Sequence, residues 1–134
     1  MAVVIALALT AAMAMPAAPA KKPQPCQTRR CKARVAHKQC SNRRPRQCVL
    51  HVIHHQRIEG WKRSWLLRIP QCESTWNPSA TNGPHVGLYQ FRVAAPSTWS
   101  TTPYARRSPR EARWQAYAAA WMLKQGRVGE WACR

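Results

Sequence analysis

Apolar side chains recur at intervals of three and four residues from Val49 onward, which is the spacing of one buried face of an α-helix. Val49, Val52 and Ile53 start this pattern, and it breaks near Gly60, so we expect a first short helix before that glycine. A second helix follows. Its predicted buried stripe consists of Trp61, Trp65, Leu66 and Ile69.

Proline and turn residues interrupt the pattern after the second helix. Pro70 falls within the helical spacing, and a proline there removes one backbone hydrogen bond and bends the helix. Asn77-Pro78 and Asn82-Gly83 are typical turn dipeptides. They predict an irregular segment between the second helix and the last one.

The last helix has the clearest start and stop signals. Ser108 is its predicted N-cap, Pro109 occupies the first helical position, and Glu111 supplies the acid of a capping box. Gly126 predicts its end. The predicted buried face consists of Trp114, Tyr117, Ala118 and Trp121. Because the sequence contains no internal repeat and no long alternating pattern, we expect a mainly α fold.

The first twenty residues are uncharged and mostly apolar, and they end in Ala18-Pro19-Ala20. This pattern predicts a secretory signal peptide at residues 1–20, cleaved before Lys21. A short membrane anchor is the alternative, but the apolar run of about 14 residues is shorter than the ~20 that a bilayer-spanning helix needs. We therefore expect a secreted mature chain without a transmembrane span.

Residues 21–48 form a basic, Cys-rich segment with few apolar side chains, followed by a domain at residues 49–134. The segment cannot form a core of its own, so its order must come from cross-links and from packing on that domain. Six cysteines follow the predicted signal peptide: Cys26, Cys31, Cys40, Cys48, Cys72 and Cys133. An even number in a small exported chain indicates disulfides. Zinc is the alternative, but it prefers paired C-x₂₋₄-C knuckles, which these spacings do not form.

The charge of the chain indicates an anionic partner. Lys and Arg number 22 against 4 acidic residues, all of them Glu, which gives a net charge of +18. Residues 21–68 carry 14 of the 22 basic side chains. A nucleic acid and an acidic bacterial envelope both fit this balance, and charge alone does not separate them.

The four glutamates differ in their local setting. Glu111 is explained by the predicted capping box, Glu59 has the setting of an exposed helix end, and Glu130 has no local explanation. Glu73 ends an apolar helix and precedes an aromatic residue, Trp76. A carboxyl group between apolar and aromatic side chains is partly desolvated, which favours the protonated form that a general acid needs. Capping a helix, or pairing with an arginine, is the alternative role.

Three elements of the sequence resemble those of soluble lytic transglycosylases. Residues 71–80, QCESTWNPSA, resemble the E-S-x-x-N-P-x-A signature, residues 87–91, GLYQF, resemble G-L-x-Q-F, and residues 96–99 resemble a P-S-T-W element. The Cys-Glu-Ser start and the Trp-x-Cys that ends at Cys133 are similar to resuscitation-promoting factors, which share the lysozyme-like superfamily. The resemblance covers about residues 61–133, and the order and spacing of the elements make it more specific than any one of them.

This resemblance implies a small lysozyme-like α domain, stapled by disulfides, in which Glu73 is catalytic and Cys72 pairs with Cys133. It also implies a substrate-binding set that lines or supports a saccharide groove: Ser74, Trp76, Asn77, Gly87, Leu88, Tyr89, Gln90, Phe91, Trp99 and Trp114. Aromatic faces and amides suit sugar rings, although several tryptophans of so small a domain must instead fill its core. We expect no cofactor and no metal.

Three positions depart from the family pattern. Pro70 stands where a good helix former is expected, and residues 92–95 lengthen the link between the second and third elements. Trp114-Gln115 replaces a Tyr-Asn pair whose tyrosine commonly hydrogen-bonds the catalytic carboxyl group. A weak or degenerate enzyme is therefore one alternative.

The resemblance favours a lytic transglycosylase that cleaves the β-1,4 bond between N-acetylmuramic acid and N-acetylglucosamine and gives 1,6-anhydro-muropeptides. Glycosidases usually need a second carboxylate, and the motif region has none, so Glu73 would act twice. Hydrolysis as in lysozyme, with Glu130 activating a water, is the alternative within the class. Outside it, the alternative is a degenerate module that binds cell wall or nucleic acid.

The expected setting follows from these inferences. We expect a secreted, cell-wall-associated monomer whose partners are peptidoglycan glycan strands and anionic envelope polymers. Specific nucleic-acid binding is not expected, because the sequence contains no recognisable nucleic-acid-binding motif and a signal peptide directs the chain elsewhere.

Overall fold

The structure is a computed structural model that describes residues 26–133. It is mainly helical, as expected, and its α-helices are α1 Arg29–Gln39, α2 Pro45–His55, α3 Gly60–Ser74 and α4 Ala112–Lys124. The predicted signal peptide at residues 1–20 lies outside the described residues. Within residues 26–133, no helix has both the length and the apolar character needed to cross a membrane.

The basic Cys-rich segment contains more regular structure than its composition predicts. Thr28 caps α1 by accepting a hydrogen bond from the backbone N–H of Cys31 at 3.2 Å. Helix α1 packs along α2 and buries Ala36. Helix α2 begins at Pro45, one turn before the start predicted at Val49, because a proline in the first turn of a helix sacrifices no backbone hydrogen bond.

All six cysteines form disulfides: Cys26–Cys31, Cys40–Cys48 and Cys72–Cys133. The first two bonds close short loops at the two ends of α1, and the third joins α3 to the C-terminal segment. The predicted disulfide framework is therefore confirmed. It leaves no cysteine thiolate for the zinc site considered as its alternative.

Helix α3 continues through Pro70. A proline at this position has no N–H to donate to the carbonyl of Leu66, one helical turn earlier. That carbonyl accepts a hydrogen bond from the hydroxyl of Tyr89 at 2.9 Å instead, and the Tyr89 side chain is fully buried. A side chain from another part of the chain thus replaces the hydrogen bond that the proline removes.

The predicted buried stripe of α3 is correct for three of its four members. Trp65, Leu66 and Ile69 are buried, whereas Trp61 is 61% exposed. Trp61 lies in the first turn of the helix, where the ammonium group of Lys62 stands 5.8 Å from the centre of its ring.

The start of α4 differs from its prediction. The helix begins at Ala112, and the capping box predicted for Ser108 and Glu111 is wrong, since the Ser108 hydroxyl accepts the N–H of Arg110 in a preceding turn. Asn42, 70 residues away in sequence, supplies the cap. Its Oδ1 accepts the Ala112 N–H at 2.9 Å, and its Nδ2 donates to the Arg110 carbonyl at 3.1 Å.

The buried face of α4 also differs from its prediction. Ala118 is buried, but Trp114, Tyr117 and Trp121 are half-buried and lie at the rim of the core. Small side chains predominate at the buried positions, which allows α4 to approach α2 closely. These positions are Ala112, Gln115, Ala116, Ala118, Ala119, Ala120, Met122 and Leu123. The helix ends just before Gly126, which has φ +74° as its predicted role requires.

A small antiparallel sheet follows α3 and precedes α4 along the chain. Its strands are β1 Thr81–Asn82, β2 His85–Val86 and β3 Phe91–Arg92, in the spatial order β1-β2-β3. Gly83 has φ +55° at the start of the two-residue turn between β1 and β2, which confirms the turn predicted there. The sheet fixes the ends of the GLYQF segment, since residues 87–90 connect β2 to β3.

Candidate active site

Glu73 is the penultimate residue of α3, and its side chain is half-buried. Its Oε1 accepts a hydrogen bond from the backbone N–H of Cys133 at 3.2 Å. The neighbouring residue, Cys72, is bonded to Cys133, so the pairing implied by the resemblance is confirmed. A covalent bond and a hydrogen bond together hold the C-terminal segment against this carboxyl group and restrict its orientation.

Backbone strain is concentrated in two segments, residues 71–80 around Glu73 and residues 87–91, which are called the first and the second motif below. Among the described residues, four other than glycine have positive φ, and three of these are Thr75 (49°), Trp76 (65°) and Gln90 (47°). Such conformations cost about 1–3 kcal/mol each and persist only where the surrounding structure enforces them. Contacts with the surrounding structure therefore hold both motifs in left-handed backbone conformations at these three residues.

Ser74 connects the two motifs. Its hydroxyl lies 3.0 Å from the carbonyl oxygen of Pro70 and 3.1 Å from that of Leu88, and it can donate to either. Asn77 closes the loop after α3, because its N–H donates to the Ser74 carbonyl at 3.0 Å and its Oδ1 accepts the N–H of Ser79 at 2.9 Å. The turn predicted at this asparagine is confirmed.

Gln115 is a positioning residue that the sequence analysis missed. Its side chain is fully buried, Nε2 donates to the carbonyls of Pro78 at 2.9 Å and Pro109 at 2.7 Å, and Oε1 accepts the N–H of Leu88. One side chain therefore fastens both motifs to α4. The available signal was its place after Trp114, in the pair that departs from the family pattern.

Gly87 allows the GLYQF loop to approach Gln115. The glycine has φ +87°, and a Cβ atom at this position would overlap the amide group of Gln115. Both the backbone conformation and the available space thus require glycine. Its N–H donates to the Ala80 carbonyl at 2.8 Å, which adds another link between the two motifs.

Four members of the predicted substrate-binding set are enclosed in the core. Leu88, Tyr89, Phe91 and Trp99 are at most 5% exposed. Trp99 packs edge-on against Phe91, with ring centroids 5.3 Å apart. Their burial excludes one of the two roles that the resemblance implied for these side chains, that of lining a groove.

The members of that set with accessible side chains are Trp76, Asn77, Gln90 and Trp114. Gln90 lines a pocket of about 160 Å³ together with Thr98 and Glu130. Trp76 lines a pocket of about 650 Å³, whose other walls are Arg46, Ser64, Leu67, Arg68 and Gln71. An indole ring surrounded by amides, hydroxyls and guanidinium groups suits the binding of a polar ring such as a sugar.

Trp114 has other neighbours. Its ring stacks on that of Tyr104 at 5.9 Å, and the guanidinium of Arg107 lies 4.7 Å from its centre. It also lines a pocket with Asn42 and Cys48. The structure thus directs Gln115, and not Trp114, toward the motif loops.

The other three glutamates have distinct surroundings. Glu130 accepts two hydrogen bonds from Arg127, at 2.8 and 3.2 Å. Glu59 forms an ion pair with Arg29, and Glu111 is exposed just before α4. Glu73 therefore differs from them in that a backbone N–H, that of Cys133, donates to its carboxyl group.

No group of three or more His, Cys, Asp and Glu side chains within residues 26–133 is arranged to hold a metal ion. Comparisons with protein-family models, with curated proteins and with solved structures find no match to this chain.

Proposed function

We propose that this chain is a lytic transglycosylase of peptidoglycan, with a lysozyme-like catalytic domain at residues 49–134 and Glu73 as its catalytic residue. The observation that carries the proposal is the meeting of two motifs at the end of α3. Ser74 and Gln115 both bind Leu88 of the GLYQF loop, and Glu73 is anchored by Cys133. A carboxyl group of restricted orientation, next in sequence to a serine that binds this loop, suits general acid catalysis.

The proposed reaction uses Glu73 twice. The protonated carboxyl group donates its proton to the glycosidic oxygen between N-acetylmuramic acid and N-acetylglucosamine as that bond breaks. The resulting carboxylate then accepts the proton of the muramic C6 hydroxyl. At the same time the C6 oxygen forms a bond to C1 of the same sugar, which closes a 1,6-anhydro ring. The reaction consumes no water, and Glu73 ends in the protonated form with which it began.

The setting of Glu130 supports a reaction with one carboxylate. Glu130 Oε1 receives both hydrogen bonds from Arg127, so a water would have to compete with a guanidinium for that oxygen.

Hydrolysis as in lysozyme is the second candidate. The pocket that Glu130 shares with Gln90 favours it, since a carboxylate and an amide there could hold a water.

We also propose that the mature chain is a secreted monomer associated with the cell wall. Three disulfides fit an oxidising, extracellular compartment. The net charge of +18 favours attraction to anionic envelope polymers, an effect that salt weakens. The same charge would serve a degenerate module that binds the wall without cleaving it.

Product analysis of purified peptidoglycan incubated with the mature chain tests the proposal. We expect released muropeptides that end in 1,6-anhydro-muramic acid and are lighter by one water than the hydrolytic products in mass spectrometry. Reducing-end products that disappear in Glu130→Gln would show a lysozyme instead. Wall binding without any released muropeptide would show a binding module.

Glu73→Gln is expected to abolish lysis and leave the fold intact, because the amide oxygen can still accept the N–H of Cys133. General acid catalysis contributes about 10²–10⁴-fold to the rate. Glu111→Gln is the matched control, since it makes the same chemical change at an exposed site. Lysis by folded Glu73→Gln at the rate of the control would contradict the assignment of Glu73.

A further inference from the structure

Two adjacent cationic pockets lie on α1, outside the catalytic motifs. The larger, about 560 Å³, is formed by α1 and the end of α2, and its walls are Arg29, Arg30, Ala33, His54, His55 and Arg57. The smaller, about 190 Å³, is lined by Thr28, Arg30, Cys31 and Arg34. Because Arg30 belongs to both, the two pockets are neighbours along α1.

The positive charge of the larger pocket is only partly compensated. Glu59 forms an ion pair with Arg29 at its edge. Burial lowers the pKa of His54, and the nearby charges of Arg63, Lys32 and Arg29 lower it further. Part of that lowering reflects a positive potential at the pocket wall, which a bound anion would neutralise.

Local structure holds the pocket walls in place. The Cys26–Cys31 disulfide fixes the start of α1, and His51 Nδ1 donates to the Ala33 carbonyl at 3.0 Å, which fastens α1 to α2 beside the pocket. Arg57, which follows α2, has φ +55°. A left-handed conformation at a residue other than glycine persists only where the surrounding structure enforces it.

We propose that these two pockets bind successive phosphate groups of a phosphodiester polymer without bases, of the polyol-phosphate type. Guanidinium groups bind phosphate oxygens through two parallel hydrogen bonds, and two sites that share Arg30 match a chain whose negative charges repeat. Among the described residues that line the pockets, only His54 and His55 have aromatic rings, and no Trp, Tyr or Phe offers the larger face on which nucleic-acid bases stack best. The bacterial envelope as the source of the polymer rests on the proposed function, whereas the phosphate site does not.

Titration calorimetry of the full mature chain with a synthetic glycerol-phosphate oligomer of defined length tests this proposal. The pocket variant carries Arg30→Gln and Arg57→Gln. The matched control carries Arg43→Gln and Arg44→Gln, which remove two charges from exposed positions of the basic Cys-rich segment that line neither pocket. We expect the pocket variant to lose on the order of tenfold in affinity for each charge-assisted contact removed. The control should lose much less, because its arginines line neither pocket and would attract the oligomer only at long range, where salt screens the attraction.

Equal losses in the two variants, both folded by circular dichroism, would overturn the proposal, because binding would then follow total charge. Single-stranded DNA with the same number of phosphates is the second arm. Tighter binding of that DNA than of the oligomer, with the same dependence on Arg30, would assign the pockets to nucleic acid and overturn the polymer class. Glu73→Gln should bind the oligomer like the unmodified chain, so failure of the catalytic proposal and failure of this one are seen in different measurements.

Discussion

Pro70 deprives the Leu66 carbonyl of the N–H that a helix normally supplies, and the Tyr89 hydroxyl donates to that carbonyl in its place. The Pro70 carbonyl in turn accepts the N–H of Trp76 at 3.0 Å. These two hydrogen bonds connect the last turns of α3 with both motifs. Tyr89 belongs to the set expected to line or support a saccharide groove. In the structure its side chain is buried and supports the helix that carries Glu73.

Tyr89→Phe is expected to destabilise the fold by about 1–3 kcal/mol, because it leaves the buried Leu66 carbonyl without a donor. In a Pro70→Ala background the same substitution should cost less, since the alanine would supply the helical N–H. Urea unfolding of the four chains of this double-mutant cycle measures the coupling. Tyr104→Phe, at a half-buried tyrosine, is the control. Equal costs of Tyr89→Phe in the two backgrounds would contradict the idea that the Tyr89 hydroxyl replaces the N–H that Pro70 lacks.

At the scale of helices, His51 joins α1, α2 and α4. From α2, its Nδ1 donates to the Ala33 carbonyl of α1, and its Nε2 lies 3.1 Å from the hydroxyl of Tyr117 on α4. Burial is the main reason that the pKa of His51 is lowered, and the charges of His37, His55 and Arg113 lower it further. The packing of the three helices therefore favours the neutral imidazole.

Acidification is expected to destabilise the fold through His51 and His54, both of which have a lowered pKa in the folded chain. Below pH 6.5, the ordinary pKa of histidine, the unfolded chain binds more protons at these two residues than the folded chain does. The stability that the two neutral histidines contribute is therefore fully present above that pH and is lost as the pH falls below it. Thermal unfolding between about pH 7.5 and about pH 5.5 should show the loss.

His51→Gln separates the proton effect from the hydrogen bonds. This variant should be less stable by about 1 kcal/mol at neutral pH, because at least one hydrogen bond is lost, but it should lose less stability on acidification. His85→Gln, in the β1–β2 hairpin, is the control and should follow the unmodified chain. An unchanged acid loss in His51→Gln would contradict the role of His51.

At the scale of the whole molecule, the disulfides close loops of very different length. Their sequence separations are 5, 8 and 61 residues, and the longest, Cys72–Cys133, fastens the C-terminal segment to α3. That segment also places Trp131 in the core, where its ring lies 4.7 Å from that of Trp65 and its Nε1 donates to the Tyr89 carbonyl. The segment is therefore part of the structure that orients Glu73.

Replacing Cys72 and Cys133 together by Ala should destabilise the fold by about 4 kcal/mol in the chain-entropy account. The matched replacement of Cys26 and Cys31 should cost about 2 kcal/mol less, because its loop is much shorter. Denaturant unfolding compares the two variants. A greater loss from the Cys26–Cys31 replacement would contradict the central role of the long bridge.

The sequence by itself determined those features that depend on short-range spacing and backbone preference. The helical class, the buried stripe from Trp65 to Ile69, the turn at Asn82-Gly83 and the helix end near Gly126 all follow from residues within a few positions of one another. The motifs around Glu73 could be found in the same way, and their catalytic role stays a prediction.

Only the tertiary structure decided which partners satisfy the polar groups of the site and which aromatic rings are buried. Asn42 caps a helix that begins 70 residues later, and the Gln115 side chain reaches Pro78, 37 residues earlier in the chain. Trp99 belongs to the PSTW element, yet it packs against Phe91 in the core. Local patterns could not reveal these outcomes, because each depends on which distant segments meet when the chain packs around one core.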